Sequence, residues 1–285
     1  LHPTWSVEEI KALAMNTAYP LVRAGLPLTS TLFAPSRTGA GRIDLPAAAR
    51  AATVAYAAAA PGRVSLGFGM PEILTTYHAT QPLRIAAKTA QPGAYTLSYV
   101  AITDMPGVTV SLPVTQVTPP ANGVVDAPVV LSADAAALGR ATPPAPAEVI
   151  ASGRPWFDEE SGHVLLWPVG SGWLAQLQDD DAPLGVGAFA YDPTTRALTY
   201  TLTLTGVAPT TALTVTLGVG QPGESNAQAY PLYAGAAPNT KPGNGVLTLA
   251  SVHELLLAAD GLYVALTYRA TPVAPETTVR GQLVA

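Results

Sequence analysis

At roughly 150 residues per domain, a chain of 285 residues has room for two domains or three small ones. Charged residues make up 12% against a usual share of about 25%, and hydrophobic residues 48%, which supplies a core and excludes a disordered chain. With 14 Lys and Arg against 19 Asp and Glu, the net charge of -5 provides no basic surface for phosphates or anionic lipids, so nucleic acid is not expected as a partner. The lack of Cys excludes disulfides, thiolate zinc sites and cysteine nucleophiles, and it agrees with an oxidising compartment. The most apolar stretch, Leu45 to Ala60, is mostly Ala and is interrupted by Pro46 and Arg50. It falls short of the about 20 strongly apolar residues a membrane span needs, and no span is expected. The sequence starts at Leu1 without an initiator Met or a signal segment, which reads either as a chain whose signal has been removed or as an internal piece of something longer.

The long helical signals are confined to residues 1–60. Ser6 and Glu9 have capping-box spacing, and Val7, Ile10, Leu13, Ala14 and Thr17 follow at helical intervals, predicting one amphipathic helix that ends near Tyr19-Pro20 and buries one face. After a loop with Gly39-Ala40-Gly41, Asp44-Leu45-Pro46 starts a second helix predicted to continue through Ala47 to about Ala58, with Pro46 suited to the first helical position and Pro61 stopping it. Beyond Pro61-Gly62 the pattern changes to short strands: Val64 to Phe68, Leu83 to Thr89, Tyr95 to Ile102, Val108 to Leu112, Ala127 to Leu131 and His163 to Trp167. Turns such as Gln91-Pro92-Gly93 and Met105-Pro106-Gly107 separate them at spacings typical of an antiparallel sandwich, while Thr142 to Pro146 reads as a stiff spacer. The clearest alternation is Leu198 to Thr205, with Leu198, Tyr200, Leu202 and Leu204 on one face and four Thr on the other. Leu213, Val215, Leu217 and Val219 repeat it, as do Leu262, Val264, Leu266 and Tyr268, and Ser251 with Glu254 predicts a capped short helix ending before Asp260-Gly261.

Three separated blocks resemble one family. His2-Pro3-Thr4-Trp5, Asn16-Thr17-Ala18 and Gly39-Ala40-Gly41-Arg42-Ile43-Asp44-Leu45-Pro46-Ala47-Ala48-Ala49 are similar, in order and spacing, to the end of a subtilisin-like (peptidase S8) serine protease domain. The resemblance implies that the catalytic Asp, His and Ser all precede Leu1, so no catalytic residue is expected in this chain. The middle of the chain, through Gly93-Ala94-Tyr95-Thr96-Leu97 and Gly107-Val108-Thr109-Val110, looks like the fibronectin-type-III-like sandwich that follows the protease domain in large secreted bacterial subtilases. The last part is similar to a CHRD domain through Tyr191-Asp192-Pro193, Leu198 to Leu202, Gly261-Leu262-Tyr263-Val264 and Val279 to Leu283. It departs from that family where Thr216-Leu217-Gly218 and Thr267 replace His-bearing positions, which puts imidazole-based metal chemistry in doubt. Together these resemblances imply a mainly β chain: helices of an incomplete subtilase domain (residues 1–60), a fibronectin-type-III-like β-sandwich (61–169) and a CHRD-like β domain (170–285). They imply an extracellular bacterial accessory segment whose partners are the missing upstream protease core and, through it, protein substrates. The rival expectation is a complete non-enzymatic surface protein whose β modules bind a protein or glycan; a protease-inhibitor role for residues 170–285 is a third.

The remaining chemistry-bearing motifs favour bland readings. His2, His78, His163 and His253 have no metal-ligand spacing, and His2 belongs to a connection between helices rather than to a triad, so no metal site or cofactor is expected from them. Gly218-Val219-Gly220-Gln221-Pro222-Gly223 matches G-x-G-x-x-G, and Gly223-Glu224-Ser225-Asn226-Ala227 mimics a nucleophile elbow, yet neither precedes a helix pattern. Asp179-Asp180-Asp181 could gather oxygen ligands for Ca2+, although adjacent Asp side chains point apart and ordinarily solvate a turn. Trp5, Trp156, Trp167 and Trp173 are too scattered for a carbohydrate-stacking platform and are expected in packing.

Overall fold

The computed structural model describes residues 2–20, 33–59, 61–138, 159–179, 182–207, 212–220, 229–236, 243–269 and 274–285. The chain is mainly β, with fifteen strands and four helices among these residues and every named strand pairing antiparallel. It divides into two compact units, one ending at Val169 and the other beginning at Gly170.

In the first unit, α1 (Val7–Asn16) opens with the predicted capping box: Glu9 N donates to Ser6 Oγ at 3.2 Å and Ser6 N donates to the Glu9 carboxylate at 2.9 Å. The buried side of α1 differs from the predicted stripe. Glu9, Ala12 and Leu13 turn inward, whereas Val7 and Ile10 stay exposed. Ala12 is small enough to let the helix approach the sheet closely, and Glu9 is drawn in by an ion pair with Lys88. A single turn, α2 (Pro35–Thr38), follows.

The second predicted helix is shorter than its Ala content suggests. α3 (Leu45–Arg50) starts as expected at Asp44, whose carboxylate accepts from Ala47 N at 2.9 Å, but it ends at Arg50 rather than near Ala58. Thr53, Val54 and Tyr56 favour extended backbone, and β1 (Thr53–Ala57) pairs with β2 (Thr76–Ala87) from Thr53 opposite Ala87 to Ala57 opposite Leu83. Long-range pairing here outweighs the helix propensity of Ala. Val64 to Phe68, predicted as a strand, is loop: the alternation is real, since Val64 is buried and Leu66 and Phe68 pack inward, yet no ladder forms there.

The other predicted strands of this unit are present as part of β2, as β3 (Tyr95–Thr103), β4 (Val108–Ser111), β6 (Val124–Asp134) and β7 (Ser161–Pro168), with a two-residue β5 (Gln116–Val117) that gives no sequence signal. Two sheets, ordered β1-β2-β6-β4 and β5-β3-β7, enclose a core of Leu83, Ile85, Leu97, Val117, Ala127 and Val129. On the opposite face of the first sheet a second cluster joins Ala12 and Leu13 of α1 to Val54, Val64 and Ala86, giving three layers: helices, sheet, sheet. At the edge of that sheet, Ala55 N donates to Asn16 Oδ1 at 2.6 Å and Ala57 N to Val64 O at 3.0 Å. The spacer Thr142 to Pro146 lies outside the described residues.

The second unit has two four-stranded sheets. One is ordered β13 (Gly243–Thr248), β10 (Ala197–Leu204), β9 (Ala182–Asp192), β8 (Gly172–Asp179); the other is β12 (Ala229–Ala236), β11 (Ala212–Val219), β14 (Leu262–Tyr268), β15 (Thr277–Gln282). Paired hydrogen bonds of 2.9 and 3.0 Å between Leu174 and Val284 close one seam between them. The predicted alternations hold: Leu198 and Leu202 are buried, Tyr200 and Leu204 half-buried, Thr199, Thr201 and Thr203 exposed, and Leu213, Val215, Leu217 and Val219 all buried. In β14 burial covers both faces, Leu262 through Leu266, rather than the alternate residues alone. α4 (Ser251–Ala258) ends before Asp260-Gly261 as expected, but its N-cap is Ala250, without a side-chain cap; Ser251 and Glu254 have other partners.

Candidate functional site

The helical front of the first unit carries several large apolar side chains exposed at its surface. Of the apolar residues on and around α1 and α3, Leu13 is buried and Trp5 is half-buried against the core cluster. Val7 and Leu45, by contrast, are each 73% exposed, Ile43 64% and Ile10 42%. A helix lying on a core ordinarily turns polar residues outward. Here α1 buries Ala12 and Leu13 on one side and holds Val7 and Ile10 to the outside, so it is apolar on two sides and covered on one. The helix is fixed in place by polar contacts at its rim. Glu9 pairs with Lys88, the Lys88 ammonium lies 5.5 Å from the Trp5 ring centroid, and His2 stacks on Trp5 at 4.1 Å. Lys11 Nζ donates to Gly62 O at 2.9 Å.

A second cluster surrounds α4. Arg196 sits in the β9–β10 turn with φ of 58°, a conformation rare outside Gly. The turn is braced by Asp192, whose carboxylate accepts from Thr195 Oγ1 at 2.7 Å and Thr194 N at 2.9 Å; those bonds, the Thr195 one foremost, hold its carboxyl below the usual range. The Arg196 guanidinium then reaches α4, donating through Nε to the Glu254 carboxylate and through Nη2 to Ser251 Oγ at 2.6 Å. Glu254 is 3% exposed, so this guanidinium neutralises a buried charge. Burial, followed by the nearby Glu254 carboxylate, pushes the Tyr191 hydroxyl above its ordinary range. On the same helix His253 Nδ1 is joined to Tyr230 OH at 2.5 Å, with the two rings edge to face.

Ser251, His253 and Glu254 are close in sequence, but the geometry does not make a triad of them. In a triad the imidazole bridges hydroxyl and carboxylate. Here hydroxyl and carboxylate both engage Arg196, and the imidazole nitrogen engages Tyr230, so the cluster fastens α4 to the β9–β10 turn and to β12. The pairing of Arg196 with residues more than 50 positions away leaves no local sequence signal. A Ser–His contact also occurs between β2 and β6, where His78 Nδ1 and Ser132 Oγ are 3.0 Å apart in cross-strand register. His78 is exposed, and Asp134 accepts from Ala136 N, so the pair sits on a sheet face without the enclosure that acyl transfer requires.

The other motifs resolve individually. Gly218 stands opposite Tyr263 on β14, and a Cβ there would lie 2.4 Å from the tyrosine Cζ, so an aromatic ring rather than a phosphate accounts for this glycine. Gln221 to Gly223, the Gly223 to Ala227 segment, Asp180, Asp181 and Trp156 lie outside the described residues. Asp179 accepts from Tyr268 OH at 2.8 Å. Trp167 and Trp173 are buried, and Trp167 Nε1 donates to Ser98 Oγ at 2.9 Å. Burial holds the His163 imidazole below its ordinary pKa, favouring the neutral ring. Among the described residues no group of three or more His, Asp or Glu side chains is placed to hold a metal, and no helix is long and apolar enough to cross a membrane. No protein-family model matches the chain, and no curated protein matches it.

Proposed function

We propose that the chain is a C-terminal accessory segment of a secreted bacterial subtilisin-like serine endopeptidase, inactive by itself, whose opening helices seat on an α/β protease core outside this sequence. The observation that carries the reading is the doubly apolar α1, with Val7 and Ile10 uncovered, together with the exposed Ile43 and Leu45 at the start of α3. These residues fall within or beside the three blocks that resemble the end of a subtilase domain, and an α/β core is the partner that resemblance supplies. The four-plus-three sandwich of the first unit and the paired four-stranded sheets of the second support fibronectin-type-III-like and CHRD-like accessory roles. In that arrangement the protease core hydrolyses peptide bonds through its own Ser, His and Asp, and the β units position protein substrates, tether the enzyme or prolong its life outside the cell.

The test is the coding sequence upstream of Leu1 together with fluorophosphonate labelling of the isolated chain. A Gly-Thr-Ser-Met-Ala-like segment about 20 residues earlier and no covalent label are expected. A signal peptide directly before Leu1, or a labelled chain, overturns the proposal.

A second reading, a non-enzymatic extracellular β-module protein that binds a protein or glycan, is favoured by one observation. The outward residues of β8, β9, β10 and β13, among them Leu174, Val186, Thr199, Thr201, Thr203 and Val246, form an exposed and largely uncharged face, with the Asp192 carboxylate at its β9–β10 turn end. Saturable retention of the isolated chain on immobilised polysaccharide, lost on replacing Thr201 by Lys, supports that reading over the first.

A further inference from the structure

In the first unit a loop runs between two firm anchors, with Pro71 and Ile73 half-buried within it. Upstream, Leu66 and Phe68 pack against the sandwich core, and Gln81 Nε2 donates to Gly67 O at 2.6 Å. Downstream, Thr75 O accepts from Ala135 N at 2.7 Å, and β2 begins at the next residue. Between these anchors, Gly69 to Leu74 make no backbone hydrogen bond to another described residue. Met70 and Leu74, at 89% and 81%, are the most exposed of the large hydrophobic side chains described. Gly69 has φ of 76°, and a Cβ there would meet open space.

An endopeptidase binds its substrate extended, through main-chain hydrogen bonds, and takes one side chain into a specificity pocket. Backbone already committed to a ladder cannot be bound in this way, whereas residues 69–74, the stretch on the acyl side of the Leu74–Thr75 bond, pair with no described strand. We propose that this loop is a processing site, cleaved after Leu74 by an endopeptidase that accepts a large apolar side chain on the acyl side of the cut. Water adds across the Leu74–Thr75 amide, leaving a carboxylate on Leu74 and an amine on Thr75. Met70 is the poorer candidate because Pro71 follows it, and proline's ring removes the N–H and fixes φ on the leaving side.

The two products remain one folded body. Five cross-strand pairs join β1 to β2 across the cut, Ala12, Leu13, Val54 and Val64 from the upstream piece share a core with Ala86 from the downstream piece, and the Glu9–Lys88 ion pair spans it. Cleavage therefore turns the helical front from a fixed part of the chain into an exchangeable one. The inference holds for any endopeptidase of this preference and does not rest on the protease reading.

The test is limited digestion of the full chain by chymotrypsin and, in parallel, by subtilisin, followed by intact-mass measurement, N-terminal sequencing and native size exclusion. A new N-terminus at Thr75 is expected before any strand is cut, with both pieces co-eluting natively and separating in denaturant. Leu74→Asp should slow that cut about tenfold or more at an unchanged unfolding midpoint. The proposal is overturned if the Leu74–Thr75 bond survives until strands of the sandwich are being cut, if the pieces part without denaturant, or if Leu74→Asp is cut at the original rate.

Discussion

Replacing Val7 and Leu45 together by Ser should cost the isolated chain little, although both are large apolar residues at or within helices. Each is 73% exposed, so roughly a quarter of the about 1.5–3 kcal/mol for full side-chain burial is realised in the fold. That amounts to about 0.5 kcal/mol each and about 1 kcal/mol for the pair, or a fall in Tm of about 2–4 °C for a unit of this size. Leu13→Ala, at a residue 8% exposed, is the internal standard: it removes a buried side chain and leaves a cavity, at about 2–5 kcal/mol. Scanning calorimetry of the three chains measures both. If the Ser pair lowers the first unit's transition as much as Leu13→Ala does, those side chains are already packed and the argument for an uncovered face fails. The same numbers run the other way on docking, because covering the exposed fractions of Val7, Ile10, Ile43 and Leu45 is worth about 6 kcal/mol gross. The Ser pair should remove about half of that in a fused protease core while leaving the isolated chain nearly as stable as before.

Arg196→Met leaves the Glu254 carboxylate buried without its guanidinium. With Arg196 42% exposed, water can partly replace it, so a loss at the lower end of the range, about 2–3 kcal/mol, is expected in urea unfolding of the second unit, and Glu254→Gln in the same background should restore about half. The Glu160 carboxyl is pushed above its ordinary 4.5 by burial, against the opposing bonds it accepts from Met105 N at 2.9 Å and Tyr99 OH at 2.8 Å. Its folded form therefore holds a proton more tightly than its unfolded form, so this group's contribution to stability is greatest below pH 4.5 and declines as pH rises from there through the raised folded value. Glu160→Gln should flatten that part of the Tm–pH curve, and an unchanged slope between the two proteins would remove Glu160 as its source.

What the sequence revealed follows from how local each signal is. The capping box of α1 and the Leu–Thr alternation of β10 depend on residues within a turn or a strand, and both are present where the spacing puts them. The end of α3 and the start of β1 were not legible, because Ala47 to Ala58 favours helix until Thr53 to Ala57 find β2, some thirty residues away. The rotation of α1 was hidden for a related reason: Glu9 reads as a solvent residue until Lys88 is placed beside it. Around α4, Ser251 and Glu254 read as a helix cap, and only the distant Arg196 shows why both side chains turn elsewhere. Of the front surface, the apolar character was readable in the sequence, and only the fold separates Leu13, on the covered side, from the exposed Ile10, Ile43 and Leu45.

The bonds from Ala55 and Ala57 to Asn16 and Val64 have a consequence for how this protein meets other chains. An unoccupied sheet border invites a foreign strand to zip alongside it, and β1 would be such a border if its donors faced solvent. A carboxamide from the helix and a carbonyl from the following loop occupy two of those donors, which blocks in-register growth on that side. Loss of the Asn16 amide group, by mutation to Ala or by peeling away of the helix, would therefore be felt first as a tendency to polymerise.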